Sequence, residues 1–301
     1  MEISVFDENA APFEADVHLS AEETDALVRD AYARLARIFK CAEADAPERA
    51  QHFLTARELQ TFLEETVIAR AADRALRAAG PLFVGAPRTE AADGFCEHAP
   101  FSFRLTAHPV PAMDLDMETP IERRRKKKPA RTGRPPAQCD GAQAGAADAP
   151  AARNADGDRS ARERIVAETL RARLNGTIPD ALMRDALARK KAEFEAELGE
   201  AGLTYREYRI AHRVKPKDMQ DALYDEAFDE LARDIALDTV FIAQSLETTP
   251  EDERAVLTDM APGREASLRR ELESTGKLWM LSQKTRRAAA LRWAAEHLLQ
   301  E

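Results

Sequence analysis

The chain has 301 residues and a formal net charge of −10, with 33% charged and 6% aromatic residues. That is enough material for a real core, and the composition favours long helices with much surface. The acidic balance excludes a protein that coats nucleic acid with its whole surface, and no apolar stretch approaches the roughly 18 residues that a membrane-spanning helix needs.

The start, "MEISVFDENAAPFEADV", is acidic and lacks a basic region followed by an apolar one, so no secretory signal is expected. In the same N-terminal segment "ISVF" and "FEADVHL" are short and rich in strand formers. Ser20 with Glu23 makes a capping box, opening a helix that places Val28, Tyr32, Leu35 and Phe39 on one stripe. Thr55 with Glu58 opens a second, longer helix through Leu59, Leu63, Val67, Ala71 and Ala75, which stops at Gly80-Pro81. "LFVGAP" and "PFSFRLTA" follow, and Phe101, Phe103 and Leu105 alternate with Ser102, Arg104 and Thr106, as a strand with one buried face should. Residues 1–111 therefore read as a small α+β domain.

From 112 to 158 this patterning collapses. Residues 122–136, "ERRRKKKPARTGRPP", hold eight cations in fifteen positions and contribute +7, which leaves −17 on the rest of the chain. "AQCDGAQAGAADAPAARNADGD" comes next and has no aromatic, Leu, Ile, Val or Phe. It cannot bury enough apolar area to offset its ordering entropy, so a disordered linker is expected here.

Residues 159–301 read as all helical. Met183, Leu187, Phe194 and Leu198 form a stripe that Gly202 interrupts, and Thr204 with Glu207 is a third capping box. Pro216 starts a long helix carrying Met219, Leu223, Ala227, Leu231 and Ile235 at steps of four. Thr249 and Pro250 start another, Gly263 and Gly276 punctuate the remainder, and "RRAAALRWAAEHLLQE" closes it. The expected fold class is an α+β N-terminal domain joined by a disordered linker to an all-α helical domain, mostly α overall.

Catalytic patterns are missing. His18, His52, His98, His108, His212 and His297 show no paired-ligand spacing, and no Walker loop, G-x-G-x-x-G or G-x-S-x-G occurs. We expect no enzyme, no metal and no cofactor. Cys41, Cys96 and Cys139 are odd in number and widely spaced, which points to free thiols in a reducing, cytoplasmic setting. Chemistry is therefore sought in surfaces. Tyr224 and Phe228 widen the apolar arc of the helix from Pro216, and Tyr205, Tyr208 and Ile210 cluster in "LTYREYRIAHRV". Such residues pack neighbouring helices or form an apolar groove able to hold unfolded polypeptide.

Five stretches resemble the trigger factor family of ribosome-associated chaperones. "VHLSAEETDALVRDAYARLARIFK" is similar to the first strand and helix of the family's ribosome-binding domain. "LQTFLEETVIARAADRALRAAGPLFVGAPRTE" is similar to its second helix and following strand, down to Val84-Gly85-Ala86-Pro87, and "PFSFRLTAHPVPAMDL" to the strand leading out. "TIPDALMRDALARKKAEFEAELGEAGLTYREYRI" and "RRAAALRWAAEHLLQE" resemble the helical peptide-holding domain. The resemblance implies an ATP-independent holdase that takes unfolded or nascent polypeptides on an apolar surface, with Phe194, Leu198, Tyr205, Tyr208, Tyr224 and Phe228 as candidates.

Two departures stand out. Where the family has its Gly-Phe-Arg-x-Gly-Lys docking loop, this chain has "CAEADAPERA", with Glu43 and Asp45 in place of cations. Acidic groups are repelled by phosphate, so the ribosome contact does not carry over. The family's prolyl isomerase domain is also missing, and only 112–158 occupies its position, so isomerase activity is not expected. The basic run, Arg123, Arg124, Arg125, Lys126, Lys127, Lys128, Arg131 and Arg134, is then either a solvated linker or a tether to ribosome or RNA. The competing function is a nucleic-acid- or ribosome-tethered scaffold acting through that run. No membrane partner is expected.

Overall fold

The computed structural model describes residues 1–5, 12–79, 82–92, 94–122 and 150–300, the side chains of 150–160 excepted. The N-terminal part runs β1 (Glu2–Val5), β2 (Phe13–Leu19), α1 (Ala21–Phe39), α2 (Ala46–Phe53), α3 (Ala56–Ala78), β3 (Phe83–Ala91) and β4 (Phe101–Pro109). Its four strands form one antiparallel sheet in the order β1-β2-β4-β3. The alternation read in the sequence sets the register. Phe13, Ala15, Val17 and Leu19 of β2 stand opposite Ala107, Leu105, Phe103 and Phe101 of β4, so all eight side chains leave one face of the sheet. That face is buried against α1 and α3 through Leu27, Leu35, Leu63 and Val67.

The capping boxes fix where these helices begin. Ser20 and Thr55 each accept from the amide three residues on, and Glu23 and Glu58 reach back to the cap amides. α2 occupies part of the loop expected between α1 and α3. It starts with Pro47 in its first turn and buries Ala46 and Ala50.

The C-terminal part is helical: α4 (Pro150–Arg173), α5 (Asp180–Glu200), α6 (Tyr205–His212), α7 (Pro216–Ala243), α8 (Pro250–Met260), α9 (Glu265–Ser274) and α10 (Leu278–His297). An α+β N-terminal unit with a helical C-terminal region, mostly helical overall, is the fold class that the sequence led us to expect. None of the described helices is long and apolar enough to cross a membrane.

The span 112–158 differs from its reading as linker. Within it, β5 (Asp114–Leu115) pairs antiparallel with β7 (Leu174–Asn175), and β6 (Ile121–Glu122) pairs in parallel with β8 (Leu299–Gln300). Ile121 is only 2% exposed and packs with Val166, Leu170, Val240 and Ala294. Two-residue ladders held by distant partners leave no local periodicity, which is why 112–122 looked structureless. Helix α4 also starts before residue 159. The disorder expected for 123–149 falls outside the described residues.

The N-terminal unit is fastened to the helices by one face of α10. Trp279, Gln283 and Arg286 follow one another at steps of four and three. The Trp279 amide donates to Asp73 of α3 at 2.7 Å, Gln283 Nε2 donates to the Gly85 carbonyl at 2.8 Å, and Arg286 donates to the Phe83 carbonyl. The last two carbonyls lie on the outer edge of β3, which would otherwise be open to pairing with another chain. Asp238 of α7, fully buried, holds Arg286 from behind at 2.7 and 3.0 Å and also binds Arg287 at 2.9 Å. At the turn before α10, Gly276 has φ +64°, and a Cβ there would sit 2.3 Å from the Ala69 carbonyl group. Only glycine permits that approach.

Candidate functional site

Helices α5, α6 and the first half of α7 form an arm. The chain turns from α5 into α6 through a Schellman motif. Leu203 N–H donates to the Leu198 carbonyl at 2.8 Å and Gly202 N–H to the Gly199 carbonyl at 3.1 Å, with Gly202 at φ +67°. Thr204 then caps α6, accepting from the Glu207 amide while Glu207 accepts from the Thr204 amide at 2.8 Å. This local chemistry sets the geometry of the aromatic cluster. Phe194 meets Tyr208 edge-on at 5.3 Å and Tyr205 edge-on at 6.4 Å, and Tyr208 also contacts His212 at 4.3 Å.

The six candidates for an apolar surface separate into three groups. Leu198 is 5% exposed, so it belongs to the interior and not to the surface. It lies at the start of the Schellman motif, where its carbonyl accepts from the Leu203 amide. Phe194, Tyr205 and Tyr208 are half-buried against one another. Tyr224 and Phe228 are 45% and 40% exposed. They precede Leu231 and Ile235 at steps of four, three and four, and those two are fully buried. The step-of-four stripe Met219, Leu223, Ala227, Leu231 and Ile235 is buried along its whole length, and Tyr224 and Phe228 stand exposed beside its outer half. The basic-run candidates, Arg123 to Arg134, lie outside the described residues.

At the inner end of the stripe is a cleft of ≈ 210 Å³ between the β3 irregularity and helices α5 and α7, lined by Val84, Gly85, Pro87, Leu182, Ala186 and Leu231. The ladder between β3 and β4 shifts register between Val84 and Arg88, and this leaves Gly85 to Pro87 free to face the helices. Asp185 of α5 binds both Arg88 of β3 and His108 of β4, the latter at 3.1 Å. Burial pushes the His108 pKa below its ordinary value, and the positive charge of Arg88 acts in the same direction. Sequence reasoning missed this contact because its three members lie on three separate elements. Cys41 and Cys96 are unpaired.

No family model matches the chain, and no curated protein matches it. Among solved structures, a trigger factor chaperone described for promiscuous substrate recognition in folding and assembly activities aligns over 98% of this chain and 100% of its own. The identity is 11% and the TM-score 0.40, a superposition too loose to decide function.

Proposed function

We propose that the chain is an ATP-independent holdase that takes apolar segments of unfolded or nascent polypeptides on the outer half of α7. The observation that carries this reading is the exposure of Tyr224 and Phe228 beside a stripe, Met219 to Ile235, that is core along its whole length. Aromatic side chains left bare beside an apolar cleft are a surface built to be covered. The resemblance of residues 177–210 and 286–301 to a peptide-holding domain supports the same reading. Each aromatic or aliphatic contact contributes about 1 kcal/mol, so a handful of them gives weak, rapidly exchanging complexes, which suits holding and release without a nucleotide. Prolyl isomerisation is no part of this function, because the residues between β6 and α4 are too few for a further catalytic domain.

The test is suppression of aggregation of a diluted, denatured client. Tyr224→Ser combined with Phe228→Ser is expected to reduce suppression several-fold while far-UV circular dichroism stays unchanged. Full suppression by the double variant would overturn the assignment, as would loss of helicity, which would make the two residues core.

A further inference from the structure

Helix α6 and the residues after it carry a net positive charge, whereas α5 is mixed, its Arg189 and Lys190 paired with Glu193 and Glu230, and the first half of α7 is acidic. Between Tyr205 and Lys217 the chain carries Arg206, Arg209, Arg213, Lys215 and Lys217 against one acid, Glu207. The flanking segments are acidic, with Glu193, Glu195, Glu197 and Glu200 at the end of α5 and Asp218, Asp221, Asp225 and Glu226 in the first half of α7. Glu207 is engaged by the cap of α6. Arg209 turns inward, donating to the Val214 carbonyl at 3.4 Å and lying 5.9 Å from the centre of the Tyr205 ring. The other four cations are exposed and make no ion pair among the described residues.

In their midst is Ile210. It is 67% exposed, more than any other large apolar side chain among the described residues. Arg206 precedes it by four positions on the same face of α6, and Arg213 follows as the C-cap in left-handed conformation. An aliphatic centre rimmed by unpaired cations has a definite complement, namely an apolar side chain flanked by carboxylates.

We propose that α6 docks acidic, apolar polypeptide segments, with Ile210 meeting the apolar side chain and Arg206, Arg213, Lys215 and Lys217 meeting the carboxylates. This rests on the holding function of the arm and names one class of client for it. Charge complementarity selects the occupant. An acidic segment is repelled by the end of α5 and the first half of α7 and attracted at α6, so the patch gives such a client its place between two acidic stretches. Nucleic acid fits less well. The exposed centre is aliphatic, while the Tyr205 and Tyr208 rings are already occupied by Phe194, Arg209 and His212, which leaves no free ring on α6 for a base to stack on.

Fluorescence anisotropy on the full chain tests this, using three labelled peptides with the same Leu and Phe residues and net charges of about −4, 0 and +4, at low and moderate salt. The acidic peptide is expected to bind about tenfold tighter than the neutral one, an advantage that shrinks as salt rises. In Arg206→Glu with Arg213→Glu the ratio is expected to fall to one or below. Lys215→Glu with Lys217→Glu serves as the second variant should the first lose helicity. Changing residues 123–128 to Ser should keep the preference. If the preference disappears there and survives both α6 variants, the basic run is responsible and the proposal is overturned. Equal binding of the three peptides overturns it while leaving the holding surface intact. Binding of the acidic peptide alone, with no affinity for the neutral one, keeps α6 as the dock and overturns the apolar holding surface. A single-stranded RNA that displaces the acidic peptide at lower concentration than unlabelled peptide does would make the partner nucleic acid and also overturn it.

Discussion

Helix α10 and the arm use the same kinds of side chain to opposite ends. In α10, Arg286 is buried and Arg287 half-buried, both paired with Asp238, which is itself inaccessible, and the Trp279 amide and the Gln283 and Arg286 side chains are spent on α3 and on the edge of β3. At α6 and the residues after it, Arg206, Arg213, Lys215 and Lys217 stand in solvent around an exposed isoleucine. The first region fastens two units with satisfied, geometrically demanding contacts. The second is held by its own caps and offers what the first hides. Charge and apolarity at a position say little until the neighbouring element is known.

This contrast breaks most readily at the α10 end. Asp238→Ala should leave Arg286 buried and unpaired and cost about 3–5 kcal/mol, seen as a lowered urea midpoint. Gly276→Ala should cost roughly 3 kcal/mol or more, because the added Cβ runs into backbone at a φ that other residues avoid. A midpoint within roughly 0.5 kcal/mol of the unaltered protein in either variant would mean that α10 does not fasten the units together. On the arm the effects are smaller. Thr204→Ala should remove the α6 cap for about 1 kcal/mol, visible as faster amide exchange in α6 while the sheet is unaffected. Tyr224→Ser with Phe228→Ser should shift the midpoint by less than about 1 kcal/mol even as client suppression fails. Unfolding energies as large as those at α10 would erase the distinction.

The smallest effect concerns the contact joining the arm to the N-terminal sheet. His108 has a folded-state pKa below its unfolded value of 6.5. The folded protein therefore binds fewer protons in that window, and stability rises with pH through it. The contribution of neutral His108 is complete above about pH 6.5 and is lost as pH falls through the folded-state value, with Asp185 and Arg88 beside it. Stability measured from pH 7 down to 5 should decline less steeply in His108→Gln than in the unaltered protein. Identical slopes would remove His108 from the account.

Much of the N-terminal unit was legible in the sequence. The alternation of Phe101, Phe103 and Leu105 describes a strand with one covered face, and the boxes at Ser20, Thr55 and Thr204 mark helix starts by chemistry confined to four residues. What escaped was whatever depends on distant chain. Ile121 looked like linker because its partner, Leu299, lies far along the sequence. Leu198 and Phe228 both lie on apolar arcs of helices, yet Leu198 is buried while Phe228 is exposed beside Leu223 and Leu231, which are covered. Helical periodicity gives the direction of a face but not the extent of its cover. The Arg286–Asp238 pair was hidden for the same reason, since its alanine-rich surroundings resemble any exposed helix.

The carbonyls of Phe83 and Gly85 have a further consequence when time is considered. Their donors, Arg286 and Gln283, are about two hundred residues downstream, so during synthesis the sheet emerges long before the helix that closes its edge. Every ribosome making this protein carries, for most of elongation, a β-edge still open to pairing. The fold is completed by a late segment, and long-range closure of that kind is slow compared with forming local helices.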